Sequence, residues 1–328
     1  MSEIRYSKLF DEYTLIAPER YHKPNEVLET KLDSKNCPFC AGNENQTTKE
    51  IFSIKKNGKW VTRVIPNLYT ALNLDTKIES QNSGFFESFS GFGAHEIIID
   101  TNRHIREFDF EIEEFFNLLK AIQIRTIELT KDIRLKYLTI FKNSGIKAGA
   151  SQPHPHTQII ASNIISNFKR NFYKREFKYY QKHSRKLLID IIKEEKNIIL
   201  ENNEFKAVFP YASFFPFEVI IAPINGDYSI KQMDDNKLNL LAETIKLSLN
   251  LIKTEIGEFD FNIEFLEPPI NENFDNEKWF KEIELFHSFF VRITPRIFNL
   301  AGFEISTHIN INPVLPETAK KAIDDSLY

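Results

Sequence analysis

His95-Glu96-Ile97-Ile98-Ile99-Asp100 is a short apolar run rich in β-branched residues, the signature of a buried strand. A counterpart, Phe217-Glu218-Val219-Ile220-Ile221-Ala222-Pro223, lies in the second half of the chain. The neighbours of the two runs also match in kind and order. Ahead of the first stands Trp60-Val61-Thr62-Arg63-Val64-Ile65, ending at Pro66; ahead of the second stands Phe205-Lys206-Ala207-Val208-Phe209, ending at Pro210. Behind each comes a helical pattern with apolar residues at i, i+3 and i+4. The first uses Ile112, Phe115, Phe116, Leu119 and Ile122; the second uses Leu238, Leu241, Ala242, Ile245, Leu249 and Ile252. Two β-rich runs close each copy, Tyr137–Phe141 and Thr157–Ile160 in one, Phe261–Phe265 and Phe289–Ile293 in the other. The chain therefore reads as an internal duplication of strand, strand, helix, strand, strand. The fold class expected is α+β: two tandem units with a mostly antiparallel sheet and packed helices. The expected halves are residues 1–165 and 166–328.

Between the copies, residues 163–200 are rich in Lys, Arg, Tyr and Phe and read as a solvated helical connector. The stretches 72–91 and 267–279 lack periodicity and read as lids or disordered loops.

Lys and Arg number 42 against 46 Asp and Glu, a net charge of -4 with pI near 6.1. With no concentrated basic stretch, nucleic acid is not the expected partner, because phosphate-backbone binding needs clustered cations. No apolar run of about 18 residues exists, so no membrane span is expected. The first 20 residues carry charges throughout and lack an apolar signal core, which points to a cytoplasmic protein.

The strongest local signal is Ser151-Gln152-Pro153-His154-Pro155-His156-Thr157-Gln158-Ile159-Ile160. Histidines at i and i+2 of an extended segment share a face, so both rings could serve one site. A bare His-x-His can equally be a satisfied polar pair. The flanking Gly145, Ala148, Gly149, Ala150 and Ser151 favour a site, because small residues let backbone N–H groups approach an anionic phosphate. The only cysteines, Cys37 and Cys40, form a Cys-x-x-Cys unit. A zinc site is preferred to a redox pair, since Ala41-Gly42-Asn43-Glu44 does not resemble a strand-to-helix redox context. The other ligands must then be His or carboxylate, and eight histidines are available.

The segments "CPFCAGNE", "RVIPNLYTAL", "GAHEIIIDTNRH", "IFKNSGIKAGASQPHPHTQIIAS", "FPYASFFPFEVIIAP" and "GFEISTHININPV" together resemble the galactose-1-phosphate uridylyltransferase family of the histidine-triad superfamily, including relatives of the ADP-glucose phosphorylase type. The resemblance runs from about Arg5 to Pro313. It implies two tandem histidine-triad-like halves and a nucleotidyl transfer in which His156 attacks the α-phosphorus of a nucleotide sugar. UMP or AMP would then pass to a hexose 1-phosphate or phosphate. It also implies that Gln158 stands in for a third histidine; an amide donates to a phosphoryl oxygen but cannot protonate a leaving group, which favours transfer over hydrolysis. Asn143 and Ser151 match phosphate contacts, Asn67 a contact near the nucleoside, Arg20 an N-terminal phosphate contact and Glu304 a contact to hexose hydroxyls. Zinc would be held by Cys37, Cys40, His104 and His154 as a structural site, and a homodimer is implied.

The sequence departs from the family in two places. The second half keeps His287 but no His-x-His pair, so one active site per chain and no second, iron-type metal site are expected, with His287 and His308 structural or superficial. Phe214 stands where relatives often have Arg, which removes a phosphate contact there. The competing readings are a histidine-triad nucleotide hydrolase and a non-catalytic zinc-stabilised binding protein.

Overall fold

A computed structural model describes residues 3–16, 37–271 and 277–326. In chain order the strands of the first half are β1 (Glu3–Ser7), β2 (Glu12–Ile16), β3 (Phe52–Lys56), β4 (Lys59–Pro66), β5 (Ser80–Ser83), β6 (Phe86–Phe89) and β7 (Gly93–Ile99). Helix α1 (Ile112–Thr130) follows, then β8 (Tyr137–Ser144) and β9 (His156–Ser162). Helices α2 (Asn167–His183) and α3 (Leu187–Glu194) lead to β10 (Ile198–Glu201), β11 (Phe205–Val208), β12 (Val219–Pro223) and α4 (Asp235–Ile256). The chain ends with β13 (Phe261–Leu266), α5 (Ile283–Phe286), β14 (Phe290–Pro295), α6 (Gly302–Thr307), β15 (Asn310–Asn312) and α7 (Pro316–Ser326).

Ten strands form one sheet in the order β10-β11-β12-β14-β13-β8-β9-β7-β4-β3. Every neighbouring pair is antiparallel. The order is symmetric about the β8–β13 seam, where Asn143 pairs with Asn262 and Phe141 with Glu264. Five strands from each half thus run outward from the seam in matching sequence.

Side chains alternate across a strand, so each strand feeds two layers. Ile159 and Ala161 of β9 join Leu138 and Ile140 of β8 in the larger core, against α1 and α4. Helix α1 starts on a capping box in which Glu111 and Glu114 each satisfy the other's backbone N–H. Helix α4 starts where the Asp234 side chain accepts from Lys237 N and stops at Gly257, whose φ of 74° is easy only for glycine. The opposite face carries His156, Gln158 and the site.

One expectation needs correction. The 163–200 segment is a covering layer and not a solvated connector: Phe172 and Tyr173 of α2 and Leu188 and Ile192 of α3 are buried with Phe286 and Phe290 in a second core. Its many lysines and arginines occupy the outer face of an amphipathic helix, while the aromatic residues at the inner face pack on the sheet. Within 72–91 the chain forms an exposed β5–β6 hairpin; of the stretch 267–279, residues 272–276 lie outside the described residues.

Candidate functional site

The loop from β8 to β9 sets the geometry. Gly145 (φ 86°) could carry no side chain, because a Cβ would lie 1.9 Å from Asp260 Oδ1. Asp260 Oδ2 in turn accepts from Lys147 N at 2.8 Å, so the loop is fastened to the second half. It returns at Ser151, which is exposed, and enters β9 at His156.

His156 is buried at 3% exposure, and its Nδ1 lies 2.9 Å from the His154 carbonyl oxygen. A carbonyl only accepts, so Nδ1 carries the proton and Nε2 presents its lone pair. Burial pushes its pKa down to about 4, which keeps the imidazole neutral and nucleophilic near pH 7. The Phe39 ring stands edge-on to His156 at 5.5 Å, joining the cysteine loop to that imidazole.

Cys37, Cys40, His104 and His154 place one donor atom each within 4.8 Å of one another. His104 Nδ1 is 3.1 Å and His154 Nδ1 3.6 Å from Cys40 Sγ. His154 donates its Nε2 proton to Thr101 O at 2.8 Å, which leaves Nδ1 as a lone-pair donor turned to the cysteines. Burial and the neighbouring Cys37 push the Cys40 thiol up to about 11, a cost that a cation among the four groups would remove. The donor set and its hydrogen-bonded second shell fit a metal ion.

Gln158 is held from the side. Ala71 N donates to His95 Nδ1 at 3.2 Å, so His95 carries its proton on Nε2 and donates it to Gln158 Oε1 at 2.9 Å. Asn67 Nδ2 lies 3.0 Å from the same Nε2, and the Asn67 carbonyl accepts from Tyr69 N. On the other side, Asn262 Nδ2 donates to Asn143 Oδ1 at 2.8 Å and to Ala148 O at 2.9 Å. The carboxamides of Gln158 and Asn143 therefore keep their NH2 groups as remaining donors.

Beneath this lies a buried ionic cluster. Lys142 Nζ pairs with Asp100 Oδ2 and, at 2.7 Å, with Glu107 Oε1, and donates to the main-chain oxygen of His156 at 3.3 Å. Ser144 Oγ donates to Glu107 Oε2 at 2.6 Å. Burial opposes the charge on Lys142, yet the two carboxylates hold its pKa above the ordinary value. Replacing Lys142 with Met is expected to cost about 3–5 kcal/mol of unfolding free energy, because two carboxylates would stay buried without their cation. Urea unfolding of the two proteins checks it; midpoints that coincide would mean the cluster adds nothing.

The structure thus brings together His156, Gln158, Asn67 and Asn143, and beside them Cys37, Cys40, His104 and His154, which could hold a metal ion. Glu304 is apart: it accepts from Ala301 N at 3.0 Å on the short helix α6, and no described contact joins it to this group. Arg20 lies outside the described residues. Phe214 is buried against Phe10, with its N–H given to Glu218 at 2.6 Å. His287 pairs with Glu176 at 2.8 Å, both fully buried, and His308 is exposed. Sequence reasoning missed Phe39, His95, Lys142 and Asn262. Of these only His95 carried a visible signal, a lone histidine breaking an isoleucine strand.

Comparison with known proteins adds the family. The family model described as "Galactose-1-phosphate uridyl transferase, N-terminal domain" matches residues 1–166. The chain is 28% identical over 331 residues to the ADP-glucose phosphorylase of Arabidopsis thaliana, covering 98% of this chain and 92% of that one. It is 24% identical to the galactose-1-phosphate uridylyltransferase of Thermotoga maritima, covering 99% of each. A crystal structure of an Arabidopsis thaliana ADP-glucose phosphorylase with bound ADP-glucose superposes with a TM-score of 0.84 at 26% identity, covering 98% of both chains.

Proposed function

The chain belongs to the galactose-1-phosphate uridyl transferase family, and from that premise we propose that it moves a nucleoside monophosphate from a nucleotide sugar to a phosphate-bearing acceptor through a covalent nucleotidyl group on His156. The observation that carries this is the fixed tautomer of His156: Nδ1 bonded to the His154 carbonyl and Nε2 free to attack.

In the first displacement His156 Nε2 forms a bond to the α-phosphorus, and the bond from that phosphorus to the sugar 1-phosphate oxygen breaks, releasing the sugar 1-phosphate. In the second, an oxygen of the acceptor phosphate attacks the same phosphorus and the P–N bond breaks, returning the electron pair to Nε2. Gln158 and Asn143 donate to the phosphoryl oxygens where charge gathers, Ser151 binds the phosphates from the loop and Asn67 lies by the nucleoside. Arg20 and Glu304 complete the reading as phosphate and hexose contacts. The likeness to the Arabidopsis enzyme favours ADP-glucose as donor and phosphate as acceptor. The uridylyltransferase relatives support UDP-hexose with a hexose 1-phosphate as the second reading.

Cys37, Cys40, His104 and His154 would hold zinc, one ion per chain, by their two-sulfur, two-nitrogen donor set. With one metal ion held by these four residues, the cysteine loop would be tied to the start of β9, a structural role that would not supply a metal-bound water. Residues 1–165 are the half with the zinc site and nucleophile, and residues 166–328 the half without the His-x-His pair. A reducing cytoplasmic setting suits two cysteines used as ligands. Among the described residues no helix is long and apolar enough to cross a membrane. Exposed Leu300, Phe303 and Ile305 on the α6 segment support a homodimer.

Gln158→His should raise acceptor-independent release of nucleoside monophosphate about 10–100-fold, because an imidazolium can protonate a leaving group where an amide cannot. Incubation with ADP-glucose or UDP-glucose without acceptor, followed by product chromatography, reads this directly. Equal hydrolysis by both proteins would remove Gln158 from the argument. A panel of nucleotide sugars and acceptors tests the function as a whole; turnover of none would defeat it.

A further inference from the structure

Lys142 and Asp100 are fully buried, and Glu107 is nearly so. An ionic triad of this kind is a poor source of stability. Exchanging all of its members for well-matched uncharged side chains is often neutral or stabilising, whereas removing one member alone is costly. Fold stability is therefore a weak reason for the triad, and its contacts give a stronger one. An ammonium has three N–H donors and no acceptor. Those of Lys142 reach Asp100 Oδ2, Glu107 Oε1 at 2.7 Å and the carbonyl oxygen of His156 at 3.3 Å. Both carboxylates are themselves anchored: Ser144 Oγ donates to Glu107 Oε2 at 2.6 Å, and Asp100 follows directly on β7.

The chain entering β9 is pinned through three consecutive carbonyls. His154 O accepts the Nδ1 proton of His156 at 2.9 Å, Pro155 O accepts from Asp100 N at 3.2 Å, and His156 O accepts from Lys142 Nζ. Next to Asp100, Thr101 O accepts the Nε2 proton of His154 at 2.8 Å. On the β8 side the ladder ends at Lys142 opposite Thr157, one residue short of His156, and Pro155 has no N–H to add a rung. Because Lys142 stands opposite Thr157, its side chain leaves the sheet on the face away from the His156 ring. Its contact with His156 is to the main chain.

We infer that Lys142, together with Asp100, is a positioning residue for the transfer. From the far face of the sheet the pair holds the main chain of residues 154–156, so that the His156 ring keeps its Nδ1-bonded tautomer and aims Nε2 at the α-phosphorus. The inference rests on the reading of His156 as the nucleophile. Such a hold matters because a misplacement of about 1 Å can cost about 10²-fold in rate.

The test compares full-length wild type with Lys142→Met and with Lys142→Met/Asp100→Asn/Glu107→Gln, which removes the charges together. The triple variant should melt above the single one, because no carboxylate is left buried without its cation. In single turnover with ADP-glucose or UDP-glucose, both variants should nucleotidylate about 10²-fold more slowly than wild type. The half-saturating donor concentration should change little, since Asn67 and Asn143 are untouched. A solely structural triad would instead give a rate that returns with the melting temperature in the triple variant. Nitrogen NMR of protein labelled at histidine, with the His156 signals assigned by their loss in His156→Ala, adds a readout that needs no chemistry. Wild type should show one His156 tautomer, protonated at Nδ1, and both variants a mixture. A wild-type protein that never labels, but whose single tautomer is lost in the variants, would refute the His156 reading and uphold the positioning role. A natively melting triple variant that keeps the single tautomer and matches wild type in labelling, fast or absent alike, would overturn it.

Discussion

Replacing His156 with Ala should abolish transfer, lowering turnover by about 10⁴-fold or more, because the variant lacks the group proposed to form the covalent intermediate. The magnitude follows from how the site is built. Its neighbours hold and orient; none of them offers a second nucleophile. Gln158 is engaged by His95, and Asn143 by Asn262. His154 turns its Nδ1 to the cysteines and gives its Nε2 proton to Thr101. Exchange of label between glucose 1-phosphate and the nucleotide sugar isolates the first displacement and should vanish with the same substitution. The variant should still bind nucleotide, since the Asn67 and Asn143 contacts remain. Retention of more than a few per cent of exchange would assign the chemistry to another group.

Loss of the metal should have the second largest effect. Cys40→Ser removes a ligand and leaves Cys37, His104 and His154 clustered and buried without the ion that would balance them. Structural zinc contributes on the order of 10 kcal/mol in small metal-folded units, and a larger core will retain part of that. The expected outcome is about one zinc per wild-type chain by elemental analysis, and little in the variant. The thermal midpoint should fall by well over 5 °C, since even a few kcal/mol shifts a chain of this size by that much. Transfer should fall with it, because the Phe39 ring packs edge-on against both His154, one of the four proposed ligands, and His156. A chelator-treated protein with unchanged melting and activity would show that the four residues hold nothing that matters.

The strand and helix order was legible because periodicity is local. Three isoleucines from 97 to 99, and an i, i+3, i+4 stripe from Leu238 to Ile252, need no partner to be read. The palindromic sheet follows once the duplication is seen. The His-x-His pair was legible for the same reason: His154 and His156 share a face of an extended segment by spacing alone. The metal cluster was half legible. Cys37 and Cys40 announce themselves, but His104 and His154 join them only because β7 and β9 are neighbours in space, and the family resemblance supplied them. What stayed hidden is long-range. A lysine at position 142 in a strand reads as solvent-facing; it is buried because Asp100, after β7, and Glu107, before α1, close on it from elsewhere in the chain. Helix α2 reads as solvated because its lysines and arginines are interspersed with its aromatic residues, and only packing against the rest of the chain shows that Phe172 and Tyr173 lie on a buried face.

The central claim is a covalent nucleotidyl-histidine. Intact-protein mass spectrometry after mixing the wild-type enzyme with ADP-glucose or UDP-glucose, without acceptor, tests it most directly. The prediction is one added nucleoside monophosphate per chain, stable in base and lost in acid, mapped by peptide analysis to His156 and discharged by the acceptor. An unmodified chain that nonetheless turns over, or an adduct of equal yield on the His156→Ala protein, would contradict it.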